Sequence, residues 1–217
     1  MPDEGTGPDE TVRRLAALST SDLSDVTAGA GVLAPGLHRV SGSGTIAGRA
    51  VTAESEEGSL FAIFSALDAS SPGDVLCMTA PGGTAYLGDL AAHDIANRGI
   101  AAVVVDGFIR DTAVLAQLPV AFFARGRTPV ARRGPGAGRS MVPIELGDVA
   151  VAPGDWLVAD DDGVIVLADS EVEDVLAQAE AAKAVEERML ARIKGGETLP
   201  QALKAELGID VPGVAAS

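Results

Sequence analysis

The chain has 217 residues, with 31 Asp and Glu against 16 Lys and Arg, two His, one Cys, five Phe, one Trp and one Tyr. A net charge of −15 repels phosphate backbones and argues against nucleic acid as a partner, while the lone Cys77 rules out a disulfide framework or a cysteine-rich zinc module. No apolar run approaches the roughly 18 residues of a membrane span, and the acidic, Pro- and Gly-rich start lacks the basic and apolar segments of a signal peptide; the expectation is a cytoplasmic globular protein with no membrane partner.

In chain order, residues 1–18 read as an N-terminal leader that carries a short helix over 11–18. Ser19, Thr20, Ser21 and Asp22 supply capping side chains for a second helix, to about residue 30. Residues 31–48 are rich in Gly, Ser and Pro and read as loop or irregular strand. A strand follows over 49–53, then a helix whose apolar positions Leu60, Phe61, Ile63, Phe64 and Leu67 recur at helical spacing. The next stretch alternates: strand 75–78, helix 89–98, strand 101–105, helix 111–118, strand 120–123. Alternation of this kind implies βαβ units and a parallel sheet buried on both faces. After an arginine-rich loop over 125–139, β-structure returns over 142–151, 156–158 and 164–167, with Asp161-Asp162-Gly163 a tight-turn signal. Residues 170–194 form a long, charged, Ala-rich helix with a thin apolar face. The pattern divides into a single α/β domain over 19–194 and a C-terminal extension over 195–217.

Chemistry concentrates in Gly82-Gly83, in Gly88-Asp89-Leu90-Ala91 and in Asp106-Gly107-Phe108-Ile109-Arg110-Asp111. Each lies past the end of a predicted strand and at the start of a helix, the edge at which open α/β sheets bind ligands and where free helix N–H groups favour an anion. Arg110 offers a fork to a carboxylate or enolate, and Asp111 can hold a hard cation such as Mg²⁺. The same pair also reads as an ordinary helix-capping dipeptide, and Gly88-Asp89 as an N-cap. His93 lies one turn beyond Asp89 and can share its face; His38 sits in the Gly- and Pro-rich segment. The lysines, Lys183, Lys194 and Lys204, all fall in the charged C-terminal region, so none is in the apolar setting that a Schiff-base lysine needs. Cys77 lies in an apolar strand and reads as inert core. No Gly-x-Ser-x-Gly elbow, phosphate loop or Gly-x-Gly-x-x-Gly fingerprint is present. The five arginines of 125–139 suit pairing with acidic residues across subunits, or one edge of the pocket.

The ordered set resembles the RraA-like family, which includes metal-dependent 4-hydroxy-4-methyl-2-oxoglutarate aldolases. It comprises Gly88-Asp89-Leu90, twenty intervening residues and Arg110-Asp111, with Thr20 to Asp25, Asp106-Gly107, Arg125 to Pro129, Pro153-Gly154-Asp155 and Ala159 to Val164 in support, over roughly residues 20–190. The resemblance implies an α/β/β/α swivelling-domain fold, a homotrimer or dimer of trimers with sites at subunit interfaces, and Mg²⁺ or Mn²⁺. It assigns Arg110 to the keto oxygen of a pyruvyl group and Asp111 to the metal. The backbone N–H groups of Leu90 and Ala91 take the substrate carboxylate, and Asp89 a water used in proton transfer. The family's aldolase pattern continues, after two further residues, with an acidic side chain; here that position is Val114.

Two functions follow. One is a metal-dependent lyase that cleaves a 4-hydroxy-2-oxo acid to pyruvate, with oxaloacetate decarboxylation through the same enolate. The other is a non-catalytic regulator that binds a ribonuclease, as the family's namesake does. Asp111 favours the enzyme and Val114 departs from it.

Overall fold

The computed structural model describes residues 8–56, 59–131 and 137–211. The chain opens with helices α1 (Pro8–Ala16) and α2 (Thr20–Thr27), then lays down β1 (His38–Ser41) and the long β2 (Ile46–Ser55). Helix α3 (Phe61–Asp68) leads to β3 (Val75–Thr79), β4 (Ala85–Leu87), α4 (Asp89–Asn97), β5 (Ala102–Ile109), the single turn α5 (Thr112–Leu115) and β6 (Ala121–Arg127). The second half comprises β7 (Gly138–Ser140), β8 (Ile144–Leu146), β9 (Val149–Val151), β10 (Trp156–Ala159), β11 (Val164–Leu167), α6 (Val172–Lys194) and α7 (Leu199–Leu207).

Strands β6, β5, β3 and β2 lie side by side and parallel, as the alternating pattern predicts. Antiparallel β1 extends one edge along β6, and β10 with β11 extends the other along the first half of β2. Three apolar clusters mark four layers. Leu76, Met78, Val103 and Val105 face α3 and α4 through Ile63, Leu67 and Ile95. From the other face Val75, Cys77, Val104 and Phe123 meet Leu146, Val151, Leu157 and Val166. Beyond that layer, Trp156, Val158, Ile165 and Leu167 meet Leu15, Leu23 and Leu176 of the outer helices. Along β10 the side chains alternate between the last two clusters, which is why this strand is a continuous apolar run: it is buried on both faces. Cys77 is fully buried and burial pushes its thiol pKa up, in keeping with inert core.

The ends of the chain depart from the predicted division. Helix α1 starts at Pro8, buries Leu15, and joins α6 through Arg14, whose guanidinium lies 2.7 Å from both Glu173 and Glu180; residues 8–18 are thus packed structure, and 1–7 lie outside the described residues. At the other end α7 folds back on α6: Ala202 is buried and Glu206 accepts from Arg188 at 2.8 Å and Arg192 at 2.7 Å. The short helix expected over 11–18 is present as α1, but nine residues carry too little amphipathic periodicity to show that either end helix packs on the domain.

Ser19 closes a capping box on α2 with Asp22, and Thr20 anchors that helix to the turn between β10 and β11. Asp160 accepts from the Thr20 N–H at 2.8 Å and hydroxyl at 2.6 Å, and from the N–H groups of Asp162 and Gly163. Burial alone raises the pKa of this carboxyl, but the Thr20 and turn donors outweigh it and hold the value below the ordinary one. A depressed folded pKa stabilises the fold fully above the ordinary carboxylate range, and that contribution is lost as pH falls through the folded value. Asp160→Ala is expected to cost roughly 2–3 kcal/mol at neutral pH and to flatten the acid limb of stability below about pH 4; denaturant melts from pH 3 to 7 check both.

Candidate active site

The twenty residues between Asp89 and Arg110 form a closed excursion. Strand β4 runs parallel to the end of β5, with Ala85 opposite Phe108 and Leu87 opposite Ile109, and the Arg110 N–H donates to the Leu87 carbonyl at 2.9 Å. The chain leaves β4 through Gly88, makes α4, and returns along β5 to arrive beside its starting point. Strand β5 outlasts its predicted end at 105 because a bulge between Val105 and Phe108 in its pairing with β6 absorbs Asp106 and Gly107. Gly107 is required there: a Cβ would fall 2.5 Å from the Ala80 carbonyl oxygen.

At Asp111 the backbone is left-handed, φ 57° and ψ 33°, a conformation that Asp tolerates better than most residues. Asp111 occupies the N-cap position of α5, yet its side chain makes no capping bond. It turns instead toward α4, where Oδ2 accepts the Asp89 N–H at 3.1 Å and lies 3.4 Å from Arg110 Nε. Asp111 therefore does not cap the helix that it opens; its carboxylate takes the first N–H of α4 instead. Asp89 is not an N-cap either: that position is Gly88, and Asp89 Oδ1 accepts the N–H of Leu90 at 2.8 Å.

Asp89, Leu90, Ala91 and Arg110 line one hollow of about 410 Å³, whose other walls include Leu60, Phe64, Tyr86 and Asp94. Arg110 also borders a cleft of about 280 Å³, shared with Asp111, Thr112, Arg127, Thr128 and Pro129. The predicted residues thus meet around one guanidinium that separates two spaces. Sequence reasoning passed over Asp94, although 90, 91 and 94 share a helical face. It passed over β4 and Tyr86 as well, since a three-residue strand gives almost no periodic signal.

Other candidates fall elsewhere. His93 and His38 are exposed and line neither space, and Val114 is half-buried in α5 and lines neither. The arginine cluster disperses. Arg125 pairs within the chain with Asp106, whose other oxygen accepts the Gly147 N–H at 2.7 Å. Arg139 donates to Glu54 at 2.7 Å. These two are fixed within one chain, where the sequence suggested partners in another subunit or one edge of the pocket; Arg127 alone of the described members borders the cleft beside Arg110, and Arg132 and Arg133 lie outside the described residues.

The family model described as "RraA-like: Aldolase/RraA" matches residues 20–166. The chain belongs to the RraA-like family. A Halalkalibacterium halodurans protein provisionally named a 4-hydroxy-4-methyl-2-oxoglutarate aldolase is 33% identical over 178 residues, 81% of this chain and 85% of that one. A Thermus thermophilus protein named 4-hydroxy-4-methyl-2-oxoglutarate aldolase is 33% identical over 150 residues, 68% of this chain and 91% of that one. Among solved structures, Streptomyces coelicolor RraAS2, described as an unusual member of the RNase ES inhibitor RraA protein family, superimposes with a TM-score of 0.73 at 29% identity, over 86% of this chain and 96% of that one. The RraA-like swivelling α/β fold expected from the motifs is the one observed. Among the described residues no helix is long and apolar enough to cross a membrane.

Proposed function

We propose that this RraA-like chain is a divalent-metal-dependent lyase that cleaves a 4-hydroxy-2-oxo acid to release pyruvate, with oxaloacetate decarboxylation as a side activity. The observation that carries the reading is the Asp111 side chain, which leaves its own helix uncapped and stands with Arg110 against the first turn of α4. The names of the aldolase relatives support it.

Retro-aldol cleavage removes the C4 hydroxyl proton. The C3–C4 bond electrons pass into an enolate at C2, a carbonyl forms at C4, and C3 then takes a proton to give pyruvate. Arg110 serves the developing oxyanion as donor and counter-charge. The first-turn N–H groups of α4, which have no carbonyl partner within their helix, take the substrate carboxylate at Ala91 and at Leu90, where it displaces the Asp89 carboxylate that holds the Leu90 N–H in this structure. Asp89 holds a water through which protons move. Among the described residues no three His, Cys, Asp or Glu side chains converge as a metal cage, but Mg²⁺ and Mn²⁺ settle for one or two carboxylates with water and substrate oxygens, and Asp111 has an oxygen to offer. The cation, when bound, supplies further positive charge for the same enolate. The exposed apolar side chains Phe61, Phe64, Leu90 and Val130 suit burial in a homotrimer or dimer of trimers. A cytoplasmic setting goes with the small polar substrate.

The test is pyruvate release from oxaloacetate and 4-hydroxy-4-methyl-2-oxoglutarate, with Mg²⁺ or Mn²⁺ and with chelator, read by lactate dehydrogenase. Asp111→Asn keeps the left-handed backbone and the acceptor for the Asp89 N–H but removes the charge. It is expected to lower metal-dependent turnover about 100-fold with little change in melting temperature; full activity would remove the metal assignment. The description of RraAS2 supports the regulator reading, and no metal-dependent pyruvate from either compound, together with capture of a ribonuclease, would decide for it.

A further inference from the structure

Arg127 stands apart from its neighbours in the arginine-rich segment. Arg125 and Arg139 are taken up by Asp106 and Glu54, whereas Arg127 has no acidic partner among the described residues. It is the last residue of β6, in register with Ile109 of β5, and the Thr128 N–H donates to the Ile109 carbonyl at 3.1 Å. The sheet therefore fixes its backbone beside the residue that precedes Arg110. Its side chain lines the cleft of about 280 Å³ with Arg110 and Asp111.

We infer that Arg127 is a second anion anchor of this site, taking the distal carboxylate of a dicarboxylic 2-oxo acid and selecting against monocarboxylic analogues. The inference rests on the lyase reading for the placement of the substrate. With the first carboxylate at Leu90 and Ala91 and the keto oxygen at Arg110, the rest of the molecule has two ways to extend. The larger hollow offers Leu60, Phe64 and Tyr86 as walls, and Asp94, its acidic residue beyond Asp89, is already paired with Arg98 at 3.1 Å. A carboxylate driven against apolar walls loses its hydration without compensation. Past Arg110, the cleft presents Arg127, which has no acidic partner among the described residues, together with Thr112 and Thr128. A guanidinium binds a carboxylate through two parallel N–H donors, and this one needs no existing ion pair broken first. The acidity of the surroundings sharpens the argument: Asp89 and Asp111 repel a second substrate carboxylate, so a dicarboxylate requires a cation beyond Arg110.

Two pairs of compounds differ in this group alone. 4-Hydroxy-4-methyl-2-oxoglutarate and 4-hydroxy-2-oxopentanoate test turnover. 2-Oxoglutarate and 2-oxopentanoate test binding by calorimetry, at fixed Mg²⁺, and need no catalysis. Wild-type protein is expected to prefer the dicarboxylate in each pair. Arg127→Gln should reduce that preference roughly 10- to 100-fold, the range for loss of a charge-assisted hydrogen-bonded pair, and Arg127→Lys should restore part of it. Equal losses on both members of a pair, no loss, or a wild type without preference would overturn the assignment. If wild-type protein releases no pyruvate but still binds 2-oxoglutarate through Arg127, the lyase reading falls and the anchor stands. If the binding preference is missing as well, both fall.

Discussion

Replacing Gly88 with alanine is expected to cut pyruvate formation by about 100-fold or more while moving stability by no more than about 1 kcal/mol. Backbone strain is not the reason. Gly88 has φ −143° and ψ −164°, extended geometry open to any residue. The added methyl is the problem: a Cβ at this position would lie 2.5 Å from Asp111 Oδ2, 2.8 Å from Arg110 Nε and 3.1 Å from Arg110 Cγ. The first two distances are too short for real contacts, so the carboxylate and the guanidinium must both move, and the bond from the Asp89 N–H to Asp111 opens with them. Because the contacts are with side-chain ends in a partly open site, the fold can yield there at little cost, and the damage falls on geometry. Steady-state kinetics with oxaloacetate beside thermal melts would separate the two quantities. Near-normal turnover in a well-folded variant would mean that Arg110 and Asp111 need not stand against α4 for the chemistry.

Gly88 also shows how much of the site can be read from sequence. The spacing from Gly88-Asp89 to Arg110-Asp111 is visible in the chain, and so is its likeness to a family. Its physical cause is not, because the excursion closes through β4, three residues long, and through one hydrogen bond from Arg110 to Leu87. A parallel pairing at a sheet edge leaves no mark of alternation that a short segment can display. The parallel core was legible because β3 and β5 are buried on both faces and read as unbroken apolar runs. Strand β1, with an exposed His38 and a buried Ser41, lacks such a pattern and reads only as loop or irregular strand.

The arginine segment shows the opposite difficulty. Five like residues in fifteen positions read as one patch, yet strand geometry gives each described member a separate neighbour. Arg125 lies across from the bulge that carries Asp106, Arg127 two residues on beside Ile109, and Arg139 against Glu54 on a different strand. Arg125 and Arg127 share a face of β6 and differ only in what stands beside them, Asp106 for one and Ile109 for the other, so composition could locate the charge without assigning it. What composition did convey is the setting: in a chain of net charge −15, cations near a candidate substrate carboxylate have to be concentrated locally, and Arg110 with Arg127 does this.

Arg110 itself carries the last and largest expected effect. Arg110→Ala should lower kcat for pyruvate release by a factor of about 100 to 1,000, the range for losing one preorganised oxyanion donor, with a smaller change in KM. The asymmetry follows from where charge develops. A ground-state ketone carries only a partial charge on its oxygen, whereas the enolate carries nearly a full one, so the guanidinium binds the transition state more strongly than the substrate. Arg110→Lys keeps the charge but not the planar fork, and a Lys ammonium is compact and strongly hydrated; it should recover only part of the loss. Structural damage would be small in either variant, because the hydrogen bond to Leu87 that ties down this position comes from the backbone N–H of residue 110 and survives any side-chain change. Free guanidinium ion added to Arg110→Ala offers a direct check, since partial recovery of kcat would show that the missing group acts on the reacting atoms. An unchanged kcat in Arg110→Ala would take Arg110 out of the chemistry and leave it as a wall between two hollows.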